Sequence, residues 1–220
     1  MTVLNLVKLP ITTIDLSPGS HLLINDVTWE QYETLLTDLG EEQRVLRINY
    51  CNGILELMSP LPAHERPNRI IADIVKALLD AQDRPWEDFG STTFKKRKKA
   101  GLEPDTGFYI QNAERVRALL RIDLDKDPPP DLAIEADITS KTTLEIYLTL
   151  QVPEVWIYER DRLTIHLLQD DGYQTSPHSL IFTDFPITNS IPELVQQSLS
   201  IGTSTMLREL RRRLQAGEFT

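Results

Sequence analysis

The chain has 220 residues, 40% of them hydrophobic and 25% charged, and a formal net charge of -10. That length suits one domain, which buries roughly 70% of the surface its unfolded chain would expose and needs no covalent staples. The acidic balance argues against a smoothly basic surface that coats DNA, and the single cysteine, Cys51, excludes an internal disulfide.

The first residues show no basic run followed by a long apolar block, so no signal peptide is expected. No apolar stretch approaches the ~20 residues of a membrane span. These features, with the lone thiol, predict a soluble cytoplasmic protein that makes no membrane contact.

Residues 1–25 read as an extended, peripheral segment. Thr28 and Gln31 have the spacing of a capping box, and Trp29, Tyr32, Leu35, Leu36 and Leu39 follow helical periodicity up to Gly40. Val45–Cys51 and Ile54–Met58 read as strands, joined by the two-residue hairpin turn Asn52-Gly53. After Ser59-Pro60-Leu61-Pro62 the spacing predicts a long helix from about Ala63 to Gln82. Its apolar face is Ile70, Ile71, Ile74, Val75, Leu78 and Leu79, and Pro67 should make its first turn irregular.

Strands are expected at Thr92–Lys96, Asp105–Ile110 and, after three prolines, Asp131–Ile138. Thr139 or Ser140 can cap a helix reaching about Leu150. Val155–Tyr158 and Leu163–Leu168 suggest a hairpin turning at Glu159–Asp161. Ser190 and Pro192 should open a late helix. A last helix over residues 203–215 turns Met206, Leu207, Leu210 and Leu214 inward, with Arg208, Arg211, Arg212 and Arg213 mostly outward. This order predicts an α/β fold with a central mixed β-sheet flanked by helices. The organisation expected is the N-terminal segment, one domain over 26–200, and a C-terminal helix in 201–220 that packs on the domain or extends from it.

The segment Asp131-Leu-Ala-Ile-Glu135-Ala-Asp137 carries the most chemical information. Side chains alternate along a strand, so Asp131, Ala133, Glu135 and Asp137 share one face while Leu132, Ile134 and Ala136 share the other. Two neighbouring carboxylates on one face repel and favour a proton or a cation; a hard divalent ion takes such oxygen ligands. The plainer alternative is a pair of solvated acids at a strand end, with Asp131 and Asp137 serving turns. A second acidic point is Asp105, in Glu103-Pro104-Asp105 at the start of the Thr-Gly-Phe-Tyr-Ile strand. Should that strand neighbour 131–138, Asp105 and Glu135 could share one ion.

A proline-aspartate at a strand start, followed by an acid-x-acid strand, resembles the PD-(D/E)XK nuclease core. Gly53–Pro60 (GILELMSP) with His64-Glu65, Glu103–Asn112 (EPDTGFYIQN), Asp131–Ser140 (DLAIEADITS) and Tyr147–Tyr158 (YLTLQVPEVWIY) are similar to segments of a widespread bacterial family of restriction-endonuclease-domain proteins, sometimes called the Uma family. The resemblance spans about residues 28–197. It implies a restriction-endonuclease-like fold and metal-assisted phosphodiester hydrolysis in DNA. Mg²⁺ (or Mn²⁺) would be held by Asp105 and Glu135, with Asp137 a further metal ligand.

The general pattern has a lysine two residues after the second acid. Here Asp137 stands there, and Thr143 stands where the family often places a helix lysine, so Lys141 is the nearest substitute for the catalytic lysine. Glu56 and Glu65 are candidate supporting acids; a solvated edge glutamate and a helix-dipole glutamate are their plainer readings. The basic run Lys95, Lys96, Arg97, Lys98 and Lys99 could hold a phosphate backbone or equally be a solvated loop. Nuclease folds that pair two sites across a duplex make a homodimer plausible by analogy alone. The main competing function is a catalytically impaired relative that keeps the fold as a binding or assembly module. A nuclease acting on RNA or a branched substrate is a weaker third.

Overall fold

The computed structural model describes residues 16–40, 46–59, 62–136 and 142–218. Asp137 and Lys141, the predicted caps Thr139 and Ser140, and most of the N-terminal segment lie outside these residues.

The chain begins with β1 (His21–Ile24) and α1 (Trp29–Leu39), then the hairpin β2 (Arg47–Cys51) and β3 (Ile54–Met58). The capping box forms as expected: Thr28 Oγ1 accepts from Gln31 N at 3.2 Å and Gln31 Oε1 accepts from Thr28 N at 2.7 Å. Asn52 and Gly53 both take positive φ, 47° and 89°, the backbone of the hairpin turn whose twist matches paired strands. The long helix α2 (Pro62–Ala81) runs through Pro67 without the expected irregular start. The proline removes one ladder hydrogen bond near the start of a 20-residue helix, and the buried face from Ile70 onward holds the rest.

Next come β4 (Glu87–Asp88), β5 (Phe94–Lys96), β6 (Ala100–Leu102), β7 (Thr106–Tyr109) and the short α3 (Ala113–Val116). Then follow β8 (Leu132–Ala136), α4 (Thr142–Leu150), β9 (Glu154–Glu159), β10 (Arg162–Gln169), β11 (Gly172–Ser176), α5 (Ile187–Ile201) and α6 (Thr203–Gln215). The late helix starts at Ile187, ahead of the predicted Ser190, and Pro192 lies inside it. Ile187 and Ile191 are both buried, so core packing draws in the first turn, while the Pro186 carbonyl accepts from Ser190 N at 2.9 Å.

The expected mixed sheet is present with order β11-β10-β9-β8-β7-β4, and its one parallel pair, β8–β9, is joined by the α4 crossover. The β2–β3 hairpin does not join it. It belongs to a second, antiparallel sheet of order β1-β3-β2-β6-β5. The chain crosses from the second sheet to the first at Glu103-Pro104-Asp105, between β6 and β7. Proline has no N–H to give a ladder, so a sheet boundary is a natural place for it.

Strand β8 is buried on both faces. Leu132 and Ile134 pack with Ile70, Ile71 and Ile74 of α2, joined by Met206, Leu207 and Leu210 of α6. Ala133 packs on the other side with Ile146, Tyr147 and Leu150 of α4. A third cluster closes α1 over the second sheet, where Tyr32 stacks on Tyr50 with centroids 5.1 Å apart.

Gly101 of β6 lies directly under that stack. A Cβ there would meet Tyr32 Cζ at 2.7 Å and Cε1 at 2.9 Å, and the fully buried tyrosine has no room to retreat. Gly101→Ala should therefore destabilise the protein by about 1–3 kcal/mol in a denaturant melt. A melt indistinguishable from that of the unaltered protein would show that Tyr32 is not fixed there.

Candidate functional site

The site forms where the two sheets meet. The β7–β8 register pairs Thr106 with Ile134, so Asp105 and Glu135 stand opposite each other one step further out. Their contacts cross. Ala136 N donates to Asp105 Oδ2 at 2.6 Å, and Asp105 N donates to Glu135 Oε2 at 3.4 Å. Asp105 is 9% exposed and Glu135 7%. Two acids separated by 30 residues in sequence thus become neighbours because antiparallel pairing fixes the register.

Each acid is held by buried partners. Asn68 of α2 donates from Nδ2 to the Asp105 carbonyl at 3.1 Å, and its Oδ1 accepts from Thr106 Oγ1 at 3.1 Å. The helix thereby fixes the backbone that carries Asp105. Tyr147 of α4 donates its hydroxyl to Glu135 Oε1. Arg47, the first residue of β2, donates from Nη1 to Asp105 Oδ1. Burial pushes Glu135 up to about 7, even though the Arg47 charge and the Tyr147 hydrogen bond pull it down; Glu56 adds a smaller upward push. Burial, then the charge of Glu135, drives Tyr147 well above the usual phenol range, so it remains a donor.

Glu56 faces inward from β3, with 3% exposure. It sits opposite Asn49 across the hairpin, and Asn49 Nδ2 donates to its Oε2 at 3.3 Å. Glu56 Oε1 is buried without a hydrogen-bond partner among the described residues. Asn49 also accepts from Glu103 N at 3.2 Å, which ties the hairpin to the Pro-Asp segment. Glu65, in the first turn of α2, pairs with Arg69 at 2.9 Å and lies 3.9 Å from Arg47. It therefore flanks the site from the solvent side instead of standing alone at the helix start. Asp131, on the same face as Glu135, serves the fold: its Oδ2 accepts from Ile110 N at 2.7 Å and Gln111 N at 2.9 Å.

The basic run divides. Lys95 and Lys96 lie on β5, the edge strand of the second sheet, while Arg97, Lys98 and Lys99 form the exposed turn into β6. Lys95 pairs with Glu33 at 3.0 Å and Lys96 donates to the Thr149 carbonyl at 3.3 Å. Two of the five cations are thus engaged with the protein itself.

Sequence reasoning missed Arg47, Asn49, Asn68 and Tyr147. A signal for two of them existed. The Asn52-Gly53 turn fixes the hairpin register, and alternation from Glu56 then places Asn49 and Arg47 on the same face. Asn68 and Tyr147 carried no such mark, since a helical Asn or Tyr acquires its role only through what packs against it.

Among the described residues, no group of three or more His, Cys, Asp or Glu side chains is arranged to hold a metal ion. No described helix is long and apolar enough to cross a membrane.

Comparison with known proteins bears on this arrangement at two levels. A search of curated proteins gave no match. Among solved structures, the chain is similar to a "putative nuclease belonging to DUF820" from Anabaena variabilis, with a TM-score of 0.51 and 14% identity. The match covers 82% of this chain and 99% of that one, and shows a shared restriction-endonuclease-like fold. A family model, Uma2, described as "Putative restriction endonuclease", matches residues 29–202. That span holds the mixed sheet, every strand of the second sheet except β1, the Pro-Asp segment and the Glu135 strand, and by it the chain belongs to the Uma2 family.

Proposed function

We propose that this protein is a divalent-metal-dependent endonuclease that hydrolyses phosphodiester bonds in DNA, with Asp105 and Glu135 as its metal-binding acids. The observation that carries this reading is the pair of backbone-to-carboxylate hydrogen bonds, Ala136 N to Asp105 and Asp105 N to Glu135, that sets the two acids side by side at the sheet junction. The family description supports a nuclease and favours DNA as substrate.

The donor set fits a hard cation such as Mg²⁺ or Mn²⁺. It consists of carboxylate oxygens in a buried place: Asp105 and Glu135 lie side by side, and Glu56, also buried, has an Oε1 that lacks a hydrogen-bond partner among the described residues. Asp105 and Glu135 would hold the ion, and Asp137 remains a candidate third ligand. Bound there, the ion would polarise a phosphoryl oxygen and acidify a water. In hydrolysis the water oxygen bonds to phosphorus, the bond to the leaving sugar oxygen breaks, and that oxygen gains a proton.

The protein's own part is positional. Asn68 fixes the Asp105 backbone, and Tyr147 orients Glu135 and satisfies one of its oxygens, so neither acid must reorganise during reaction. Lys141 is the candidate for orienting the attacking water.

One observation favours the second reading, a catalytically impaired binding module: Arg47 is ion-paired to Asp105, where a metal would compete with it. Calorimetry with Mn²⁺ separates the readings. The nuclease reading expects binding that Asp105→Ala abolishes; no carboxylate-dependent binding favours the module.

Supercoiled plasmid incubated with the protein and Mg²⁺ or Mn²⁺ should be nicked. Asp105→Ala and Glu135→Gln should each slow this by at least about a hundredfold, more than losing an outer-shell partner costs. Identical background from the unaltered protein and the Asp105→Ala/Glu135→Ala double variant would end the nuclease reading.

The titration of Glu135 yields a second prediction. Its folded value, about 7, lies above the ordinary 4.5, so the folded state holds this proton more tightly than the unfolded chain. That contribution to stability is complete below the ordinary value and is lost as pH rises through about 7. The thermal midpoint of metal-free protein should therefore fall from about pH 5 to about pH 8, and Glu135→Gln should flatten the decline. Mn²⁺ affinity should rise over the same interval, because the ion displaces the proton. A pH-independent gap between Glu135→Gln and the unaltered protein would contradict the assignment.

A further inference from the structure

The position two residues after Glu135 is an aspartate, yet the site has a cation of its own from another part of the chain. Arg47 enters from the second sheet, at the start of β2, and its Nη1 donates to Asp105 Oδ1. Its charge also acts on Glu135. Among the described residues, no lysine forms an ion pair with either acid.

Two features, its exposure and its unused donors, suit Arg47 to more than offsetting Asp105. Its side chain remains 14% exposed, against 7% for that of Asp105, so the arginine is not fully closed off from solvent. A guanidinium carries five N–H donors in a planar fork. Among the described residues only Nη1 has an acceptor within hydrogen-bonding distance; Nη2 lies 3.9 Å from Glu65, beyond it. Glu65 is bound more closely by Arg69, at 2.9 Å through its other oxygen, and is only a long ion-pair partner of Arg47. A partly exposed cation with donors unused among the described residues, beside two buried carboxylates, suits an anionic group that could not otherwise approach them.

We propose that Arg47 contacts a non-bridging phosphate oxygen of the bound nucleic acid and supplies the fixed positive charge of the site. The proposal rests on the nuclease reading for where the phosphate lies. Arginine suits the role because its fork stays charged and bonds one carboxylate and one phosphate at once. The basic run on β5 is less suited, with Lys95 held by Glu33 and Lys96 by a backbone carbonyl.

Removing Arg47 alone would leave the Asp105 carboxylate without its ion-pair partner, so the test uses the Asp105→Asn background, where that carboxylate is already replaced by a neutral amide. Binding of a fluorescein-labelled DNA duplex is measured by anisotropy across a range of salt. Adding Arg47→Met should weaken binding by about tenfold or more, the loss expected for one charged hydrogen bond. It should also lower the slope of log affinity against log salt by about one, a change that a purely structural role would not produce. Arg47→Lys should keep the slope. Arg47→Gln, which retains a donor toward position 105, should show the same loss as Arg47→Met.

Unchanged affinity and slope in Arg47→Met and Arg47→Gln would overturn the contact, as would failure of the Asp105→Asn protein to bind duplex at all. The two proposals fail separately. Protein that binds duplex through Arg47 but shows no Asp105-dependent cleavage keeps the contact and loses the nuclease reading. Cleavage by the unaltered protein together with undiminished duplex binding by the Arg47 variants does the reverse.

Discussion

The architecture depends on burying carboxylates at a seam between two sheets. An ionised carboxylate removed from water costs several kcal/mol unless it is paired or hydrogen-bonded. Asp105 meets that cost through Ala136 N, Arg47 and a backbone fixed by Asn68. Glu135 meets less of it. Its partners are the Tyr147 hydroxyl and a long contact from Asp105 N, and burial still outweighs them. The two acids therefore have different characters: one is ion-paired to a guanidinium, the other is poised between protonated and ionised near neutral pH.

Such a seam needs rigid walls, and β8 supplies them. Its outward-alternating side chains serve two cores at once: Leu132 and Ile134 bind the α2 side, and Ala133 binds the α4 side. Each wall delivers one polar group to the site, Asn68 from α2 and Tyr147 from α4. The second sheet delivers Arg47, Asn49 and Glu56 from a single hairpin. Asp105 sits in the short connection between β6 and β7, but Ala136 N, Arg47 and Asn68 all tie it to regular elements, which suits a constellation whose geometry must not drift.

Elements with a strong local signal were legible. The capping box at Thr28, the Asn52-Gly53 turn and the apolar face of α2 lie where their patterns place them, because each is decided by neighbours within a turn or two. The short elements were not. β4, β6, α3 and β11 are two to five residues long, too brief for a period to appear, and they exist because a neighbouring strand or core accepts them. The hairpin's membership of a separate sheet was hidden for the same reason: β2 and β6 pair across about fifty residues of chain.

The sequence by itself determined the family likeness, the α/β order, the alternation that puts Glu135 beside Ala133 rather than Ile134, and the identity of Asp105 and Glu135 as the acids of interest. These follow from periodicity and from which residue types recur at short spacing. Only the tertiary structure decided that those acids face each other, that Arg47 is ion-paired to one of them, and that Glu135 is buried enough to titrate near 7. Register between distant strands and the dielectric around a side chain are set by packing of the whole chain, and no local pattern encodes them.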